Sequence, residues 1–208
     1  MRGFVGFGEL GRQVDLLLTE YEGPRESKFF DDRMVERDVQ GALPLDSCFD
    51  DEFRDCSFYV CLGYKHLARK AEIILRLLEL GRRLPSFVHP SVYLSSSASV
   101  GAGTLVYPMC NVDKECVIGR GVVLNNSVVV SHNTAIGDCC YLAPGVVLSG
   151  FVTVGDRTFI GSGSVVSDRV SIGENVTVGI GTVVTRDVRS STSVIGNPMR
   201  LLQRDLVL

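Results

Sequence analysis

The sequence contains no tryptophan and only three histidines, His66, His89 and His132. No apolar run approaches the roughly 20 residues that are needed to span a bilayer, so we expect no membrane insertion. The formal net charge is −3, and neither half of the chain is basic, which argues against nucleic acid or an anionic membrane as a partner. The first residues lack the long apolar stretch of a signal peptide, so we expect a cytoplasmic protein.

Metal-binding and disulfide patterns are also missing. The chain has seven cysteines, and no two of them are spaced as Cys-x-x-Cys. An odd count in a protein expected to be cytoplasmic predicts free thiols. A catalytic zinc site needs about three convergent protein ligands, commonly histidines. The second part of the chain has only His89 and His132, so the sequence predicts no metal centre.

What the chain does contain is an internal repeat of six residues. From Val88 onward every sixth residue is aliphatic, seventeen times without an insertion. The series is Val88, Leu94, Val100, Val106, Val112, Ile118, Leu124, Val130, Ile136, Leu142, Leu148, Val154, Ile160, Val166, Ile172, Val178 and Val184. Four residues after each member stands a small or β-branched residue, among them Cys110, Cys116 and Cys140.

This periodicity predicts a left-handed parallel β-helix of hexapeptide repeats. Three hexapeptides make one triangular coil of eighteen residues, and the aliphatic residue points into the prism. The residue four positions on also points inward beside a corner and must be small, which makes Cys110, Cys116 and Cys140 core residues. Stacked coils lie about 4.8 Å apart, as neighbouring strands do, and each buries its apolar face against the next. Five to six coils fit into residues 86–190.

Residues 1–85 have a different pattern, typical of a small Rossmann-like α/β domain. Short apolar strands are predicted at 2–7, 28–30 and 57–62, and helices follow the first and third of them. The order predicts a small parallel sheet with helices on its faces. We therefore expect an α/β domain at 1–85, the β-helix at 86–190 and a C-terminal tail at 191–208.

The first strand runs into Gly6-x-Gly8-x-x-Gly11, the spacing of a nucleotide-binding turn. Two aspartates, Asp31 and Asp32, follow about twenty residues later. The same spacing also suits a tight strand-to-helix turn that only requires glycine. A dinucleotide site normally needs two such halves, so a nucleotide-linked sugar fits better than NAD. The helix start would hold its diphosphate, and Asp31 or Asp32 would bind the base or ribose.

Both parts together resemble the bacterial sugar O-acyltransferase family. This family includes sialic acid O-acetyltransferase-like proteins and the N-acetyltransferases of UDP-linked 4-amino sugars of bacillosamine type. The resemblance rests on the glycine turn, Phe30-Asp31-Asp32, Pro85-x-x-Val88-His89-Pro90, Asn125 seven residues before His132, Ile136-Gly137-Asp138, Ala143-Pro144-Gly145 and Ile195-Gly196-Asn197-Pro198. The chain departs from the family in two places. Asn133 stands where an acidic residue usually follows the catalytic histidine, and Tyr141 stands where relatives often have a second histidine.

The resemblance implies an acetyl-CoA-dependent N-acetyltransferase that acts on a nucleotide-linked (UDP or dTDP) 4-amino-4,6-dideoxy sugar. An O-acetyltransferase of a sugar hydroxyl, such as that of a sialic acid, remains an alternative. A non-catalytic β-helix that binds a nucleotide sugar is another. On this interpretation the substrate-binding residues are Gly6, Gly8, Gly11, Asp31, Asp32, Lys65 and Asn125.

His132 matches the family's catalytic position and occupies an outward slot of its hexapeptide. A neutral imidazole is suited to removing a proton from an attacking amine at cytoplasmic pH. Asn133 could orient the ring, and Gly150, eighteen residues later, should lie directly above it and leave room beside the base. The backbone N–H of Gly150 and the hydroxyl of Tyr141 are candidates to stabilise the thioester oxyanion. Because Asn133 is neutral, we also expect an amine rather than a hydroxyl acceptor.

The remaining expectations concern coenzyme A and assembly. The resemblance places the pantetheine arm along the prism between subunits, lined by Gly150, Gly161, Ser162 and Gly179. Arg186, Arg200 or Arg204 could meet the phosphates of the coenzyme. Apolar residues in outward slots favour a homotrimer, which buries such a face on every subunit. The residues concerned are Val106, Tyr107, Pro108, Met109, Val147, Phe151 and Phe159.

Overall fold

The computed structural model describes residues 1–202, which form two compact units. The first is Met1–Phe87 and the second begins at Val88. No helix among the described residues is both long enough and apolar enough to cross a bilayer.

The first unit is a four-stranded parallel sheet with helices. Its strands are β1 (Arg2–Val5), β2 (Ser27–Phe30), β3 (Ala42–Leu43) and β4 (Ser57–Val60), in the order β3-β2-β1-β4. The α-helices are α1 (Glu9–Glu22), α2 (Asp32–Glu36) and α3 (Leu67–Glu79). Single 3₁₀ turns occur at Leu45–Phe49, Asp51–Phe53 and Tyr64–His66. The predicted parallel sheet is confirmed. The sequence reading missed β3 and α2, because each is too short to show a period.

The second unit is the predicted parallel β-helix, which is confirmed with about six turns. Its two-residue strands follow one another every six residues from Phe87–Val88 to Val183–Val184. Residue i pairs with residue i+18, as in Val117 with Ala135 and Val129 with Val147. Stacking continues past residue 190, because Ser193–Ile195 pairs in parallel with Thr177–Val178 and then turns into the antiparallel strand Arg200–Leu201.

The prism has three faces, which we number by their strands. Face 1 holds the strands Leu105–Val106, Val123–Leu124, Tyr141–Leu142, Phe159–Ile160 and Thr177–Val178. Face 2 holds Tyr93–Leu94, Asn111–Val112, Val129–Val130, Val147–Leu148, Val165–Val166 and Val183–Val184. Face 3 holds Ser99–Val100, Val117–Ile118, Ala135–Ile136, Thr153–Val154 and Ser171–Ile172. Each corner is named by the two faces that it joins.

The inward slots carry the core as predicted. The aliphatic series from Val106 upward is almost completely buried. Cysteine, serine and threonine in the small inward slot hydrogen-bond to a carbonyl of the next coil: Cys110 Sγ donates to Asn125 O at 3.0 Å and Thr158 Oγ1 to Gly173 O at 2.9 Å. All seven cysteines are free and buried. Burial raises the pKa of the Cys140 thiol to about 12, so it stays protonated.

Candidate active site

His132 lies at corner 2–3, between strand Val129–Val130 of face 2 and strand Ala135–Ile136 of face 3. The side chain is half-buried. Its Nδ1 lies 3.1 Å from Oδ1 of Asn133, the orienting contact that the sequence predicts. Its Nε2 has no hydrogen-bond partner within residues 1–202. The corner therefore presents an imidazole with one nitrogen engaged and the other available.

Gly150 lies against the ring of His132, one coil above it. A Cβ atom on Gly150 would come within 2.6 Å of Cε1 and 2.9 Å of Nε2 of the imidazole. The position of this glycine above His132 agrees with the sequence prediction. The expected room beside the base is wrong, because the imidazole itself fills the space that the missing side chain leaves. Gly150 is thus a packing requirement for the ring.

An aromatic side chain encloses the same imidazole. The ring of Phe151 meets that of His132 edge-on, with centroids 5.2 Å apart at 87°. The guanidinium of Arg169 lies 4.5 Å from the Phe151 centroid. The N–H of Phe151 donates to His132 O at 3.0 Å, which fixes the height of one coil on the other. The imidazole is therefore restricted from above by glycine and aromatic contacts.

Glu115 stands one coil below Asn133, in the same slot. The amide Nδ2 of Asn133 donates to Oε2 of Glu115. Both residues have a positive φ of 58°, so both side chains leave the corner in the same direction. Sequence reasoning missed Glu115, although the eighteen-residue period places it directly below Asn133.

Tyr141 does not lie at the His132 corner. It belongs to face 1, which is opposite corner 2–3 in the triangular prism. Its hydroxyl accepts a hydrogen bond from Nδ2 of Asn125 at 3.0 Å, and Asn125 follows face 1 at corner 1–2. The expected contact of Tyr141 with the oxyanion at His132 is therefore wrong within one subunit. Instead, Tyr141 and Asn125 form a separate polar pair.

The residues expected to bind coenzyme A are divided between two corners. Gly161, Ser162 and Gly179 lie at corner 1–2, and Gly150 and Arg186 at corner 2–3. Stacking already requires two of these glycines: a Cβ on Gly161 would come within 2.7 Å of the backbone N of Ile180, and one on Gly179 within 2.8 Å of the Ile195 side chain.

The arginine candidates fall in different places. Arg186 lines a cavity of about 400 Å³ at the last coil, together with Arg189, Thr192, Val194 and Met199. Arg200 is in the antiparallel strand next to this coil and does not line the cavity. Arg204 lies outside the described residues. Arg189 is a cation near Arg186 that sequence reasoning did not select.

A second cavity, of about 390 Å³, lies in the first unit. Of the predicted substrate-binding residues, Gly6, Gly8, Asp31 and Asp32 line it, whereas Gly11 and Lys65 do not. Arg33, His66 and Arg69 also line it. These three were not selected, because their positions depend on how α2 and α3 begin beside the sheet.

The three glycines of the turn have different roles. Gly6 has a φ of +85°, and Gly11 packs so closely that a Cβ would lie 2.5 Å from Gly6 O. A Cβ on Gly8 would meet no atom within 4 Å, because this residue faces the cavity. Only Gly8 is left free of a structural requirement, so it is the glycine that a ligand would approach.

Asp31 has a structural role, because its carboxylate binds backbone N–H groups. Its Oδ1 accepts from the N–H groups of Arg33 and Met34 at the start of α2, and its Oδ2 accepts from Phe7 N–H at 2.7 Å. Both carboxylate oxygens thus hold the turn, and Asp31 also lines the cavity, so its role as a ligand for ribose or base stays a prediction. Asp32 accepts from Leu45 N–H through Oδ1 at 2.8 Å, and its second oxygen remains available within the described residues.

Comparison with known proteins finds the same repeats and the same fold. The family model "Bacterial transferase hexapeptide (six repeats)" matches residues 115–150 and 151–186. The acetyltransferase domain of PglB from Neisseria gonorrhoeae is 26% identical over 96% of this chain and 98% of its own, with a TM-score of 0.86. The perosamine N-acetyltransferase of Caulobacter crescentus is 26% identical over 97% and 96%, also with a TM-score of 0.86. The chain therefore carries bacterial transferase hexapeptide repeats within residues 115–186 and is similar to solved acetyltransferases over nearly its whole length.

A further solved structure shares the fold of this chain. WeeI from Acinetobacter baumannii is 23% identical over 97% of this chain and 99% of its own, with a TM-score of 0.87. No curated protein matches the chain significantly. Among residues 1–202, no group of three or more His, Cys, Asp or Glu side chains could hold a metal ion.

Proposed function

We propose that this acyltransferase transfers the acetyl group of acetyl-CoA to the amino group of a nucleotide-linked 4-amino-4,6-dideoxy sugar, with His132 as general base. The observation that carries the proposal is the imidazole of His132, held through Nδ1 by Asn133 with Nε2 available. The molecules bound in two similar proteins support the choice of the two substrates. The PglB domain was solved with acetyl coenzyme A, and the perosamine enzyme with CoA and GDP-perosamine.

In this mechanism Nε2 of His132 accepts a proton from the attacking amine. The amine nitrogen forms a bond to the thioester carbonyl carbon, the carbon–sulfur bond breaks, and the proton passes from Nε2 to the departing thiolate. The N–H of Gly150 has no hydrogen bond within residues 1–202 and can donate to the oxyanion. Such a preorganised donor stabilises charge as it develops.

The nucleotide is assigned to the cavity of the first unit. Its walls combine the open backbone at Gly8 with the cations of Arg33 and Arg69. Guanidinium groups and backbone N–H groups are the donors that phosphates prefer. Arg69 also pairs with Asp46 at 3.0 Å and with Glu72 at 3.2 Å, so a diphosphate would compete with two exposed ion pairs, which are weak.

A second copy of the chain would explain why the coenzyme residues lie at two corners. The outward residues of face 2 include Val129, Val147, Val165 and Val183, an uncharged stripe between corners 1–2 and 2–3. Three copies that meet through this face would bring corner 1–2 of one subunit towards corner 2–3 of the next. Asn125, Gly161 and Ser162 would then approach His132 of a neighbouring subunit.

The preference for an amine now depends on the similar perosamine enzyme and no longer on Asn133. A neutral residue next to His132 suggested an amine, because an amine needs less help from a base than a hydroxyl does. However, the carboxylate of Glu115 lies behind Asn133. A carboxylate in that place would equally suit acylation of a hydroxyl.

The decisive experiment is a thiol-release assay with acetyl-CoA and a panel of UDP-, dTDP- and GDP-linked 4-amino sugars, with sialic acid as the hydroxyl acceptor. We expect release with at least one amino sugar and none with sialic acid. Turnover of sialic acid alone would replace the proposal by O-acetylation. Binding of a nucleotide sugar without any turnover would replace it by a non-catalytic role.

A further inference from the structure

Three side chains form one continuous polar connection at corner 2–3. His132 Nδ1 meets Asn133 Oδ1 at 3.1 Å, and Asn133 Nδ2 donates to the carboxylate of Glu115. The connection crosses from one coil to the coil below it. Glu115 is exposed, while His132 and Asn133 are half-buried. It therefore links the candidate base to a carboxylate that can be changed without disturbing the core.

The direction of this connection is set at its Glu115 end. An ionised carboxylate can only accept hydrogen bonds, so the atom of Asn133 that faces it must be the NH₂ group. The carbonyl oxygen of the same amide then faces His132, and that oxygen can only accept. Nδ1 of the imidazole must therefore carry a proton, and Nε2 of the neutral ring must be the lone-pair nitrogen.

We propose that Glu115 is a positioning residue that selects the tautomer of His132 through the amide of Asn133. Without a carboxylate below it, the amide of Asn133 could rotate by 180° and present its NH₂ group to Nδ1. The ring would then carry its proton on Nε2 and could not act as a base there. The catalytic part of this inference rests on the proposed function, and the tautomer itself does not.

Other charged groups near the corner do not provide the same link. Asp113 and Lys114 precede Glu115 on the same turn, and Asp168 and Arg169 lie two coils above His132 and Asn133. Asp113 Oδ1 accepts from Lys114 N–H at 2.7 Å, and Asp168 pairs with Arg169 at 3.9 Å. Asp113→Asn is a matched control, because it removes one carboxylate from the same turn and leaves the Glu115–Asn133 hydrogen bond in place.

The direct test is ¹⁵N NMR of the histidine rings at a pH where they are neutral. Only His66, His89 and His132 contribute signals, and His132→Ala identifies those of His132. We expect a protonated Nδ1 and an unprotonated Nε2 in the wild type and in Asp113→Asn. Glu115→Gln should give a mixture of tautomers at His132 and unchanged signals from His66 and His89. Wild-type signals in Glu115→Gln would overturn the proposal, whether or not the protein is active.

Kinetics provide a second measurement. Glu115→Gln should lower kcat by about tenfold with little change in KM, less than the roughly 10²–10⁴ that loss of a base costs. In an Asn133→Asp background, Glu115→Gln should instead raise kcat. The introduced carboxylate would accept from Nδ1–H directly, and the charge of Glu115 would repel that carboxylate. A further decrease in the double variant would contradict the proposal. If NMR shows the tautomer effect but no sugar is acetylated, the proposed function fails and the positioning role stands.

Discussion

Side chains at corner 2–3 meet partners that stand one coil away as well as neighbours in the sequence. Glu115 lies below Asn133, and Gly150 lies above His132. Small changes at these positions should therefore act on the imidazole without changing the fold of the coil.

Replacing His132 with alanine should lower kcat by about 10²–10⁴ and leave KM nearly unchanged, because a positioned base contributes that much to the rate. Steady-state thiol release measures the effect. Lys114→Ala is the matched control, since Lys114 occupies the same slot one coil below and is exposed. Equal rates for wild type and His132→Ala would remove the histidine from the mechanism.

Replacing Gly150 with alanine should also lower kcat. The new methyl group would lie 2.6 Å from Cε1 of His132, which is too close, so the ring must move away from its contact with Asn133. We expect a smaller loss than in His132→Ala, together with altered ¹⁵N signals of His132. Unaltered signals would show that the imidazole does not pack on Gly150 in solution.

Replacing Gly8 with leucine should weaken binding of the nucleotide sugar and spare binding of acetyl-CoA. A Cβ at Gly8 meets no atom within 4 Å, so the side chain can enter the cavity without straining the turn. Calorimetric titration with each ligand measures the two affinities separately, and the coenzyme acts as the internal control. Parallel loss of both affinities would contradict the assignment of the ligands to separate units.

At the scale of elements, the three corners differ in chemistry. Corner 3–1 is a charged ladder in which Arg120 binds the carboxylate of Asp138 at 2.6 Å, and Asp138 N–H donates to Asp156 one coil above. Corner 1–2 carries glycines with positive φ, among them Gly145, Gly163 and Gly181. The ladder connects successive coils on the outside of the prism, where the apolar core cannot stabilise their stacking.

Asp138→Asn should reduce stability at neutral pH and have little effect in acid. Burial opposes ionisation of Asp138, but hydrogen bonds and charge from Arg120 outweigh it, and the pKa of the carboxyl lies below its ordinary 3.8. A carboxyl group whose pKa is lower in the folded than in the unfolded state stabilises the fold at pH values above the unfolded-state pKa. This contribution disappears as the pH falls through the folded-state pKa. Urea unfolding at pH 7 and pH 3 compares the two proteins. If Asp138→Asn lowers the free energy of unfolding by as much at pH 3 as at pH 7, the ionised carboxylate is not the origin of the effect.

At the scale of the whole molecule, face 2 is the surface suited to a second copy. The residues that sequence reasoning offered for the trimer interface are partly wrong. Val106, Tyr107 and Phe159 are buried within the chain, whereas Met109 and Phe151 are exposed. Val147, which was also predicted, belongs to the stripe of outward valines on face 2. A closed threefold arrangement would cover this stripe on every subunit.

Sedimentation should show a trimer at micromolar concentration, and Val165→Glu should dissociate it. Val165 on face 2 is 39% exposed, so a charge there disrupts an interface without entering the core. Val117→Glu is the matched control, because Val117 is an exposed outward valine on face 3. A wild-type monomer, or a trimer that survives Val165→Glu but not Val117→Glu, would exclude face 2 as the interface.

The sequence by itself determined the β-helix and the interior of its core. Every sixth residue must fill the prism, and the slot four residues later must be small. These are local requirements that can be read without knowing any contact. The same period placed His132 outward and Gly150 above it. The parallel sheet of the first unit also followed from its pattern, apart from the short elements β3 and α2.

Only the tertiary structure decided which polar atoms are already in use. Asp31 was predicted as a ligand, and the structure shows that three backbone N–H groups already bind its carboxylate. Tyr141 was a candidate to contact the oxyanion near His132, but within one subunit it lies on face 1, opposite corner 2–3. Glu115 was not selected from the sequence, yet it accepts a hydrogen bond from the amide that contacts His132. A hydrogen bond depends on the distance and direction between two atoms, and a pattern of residue types gives neither.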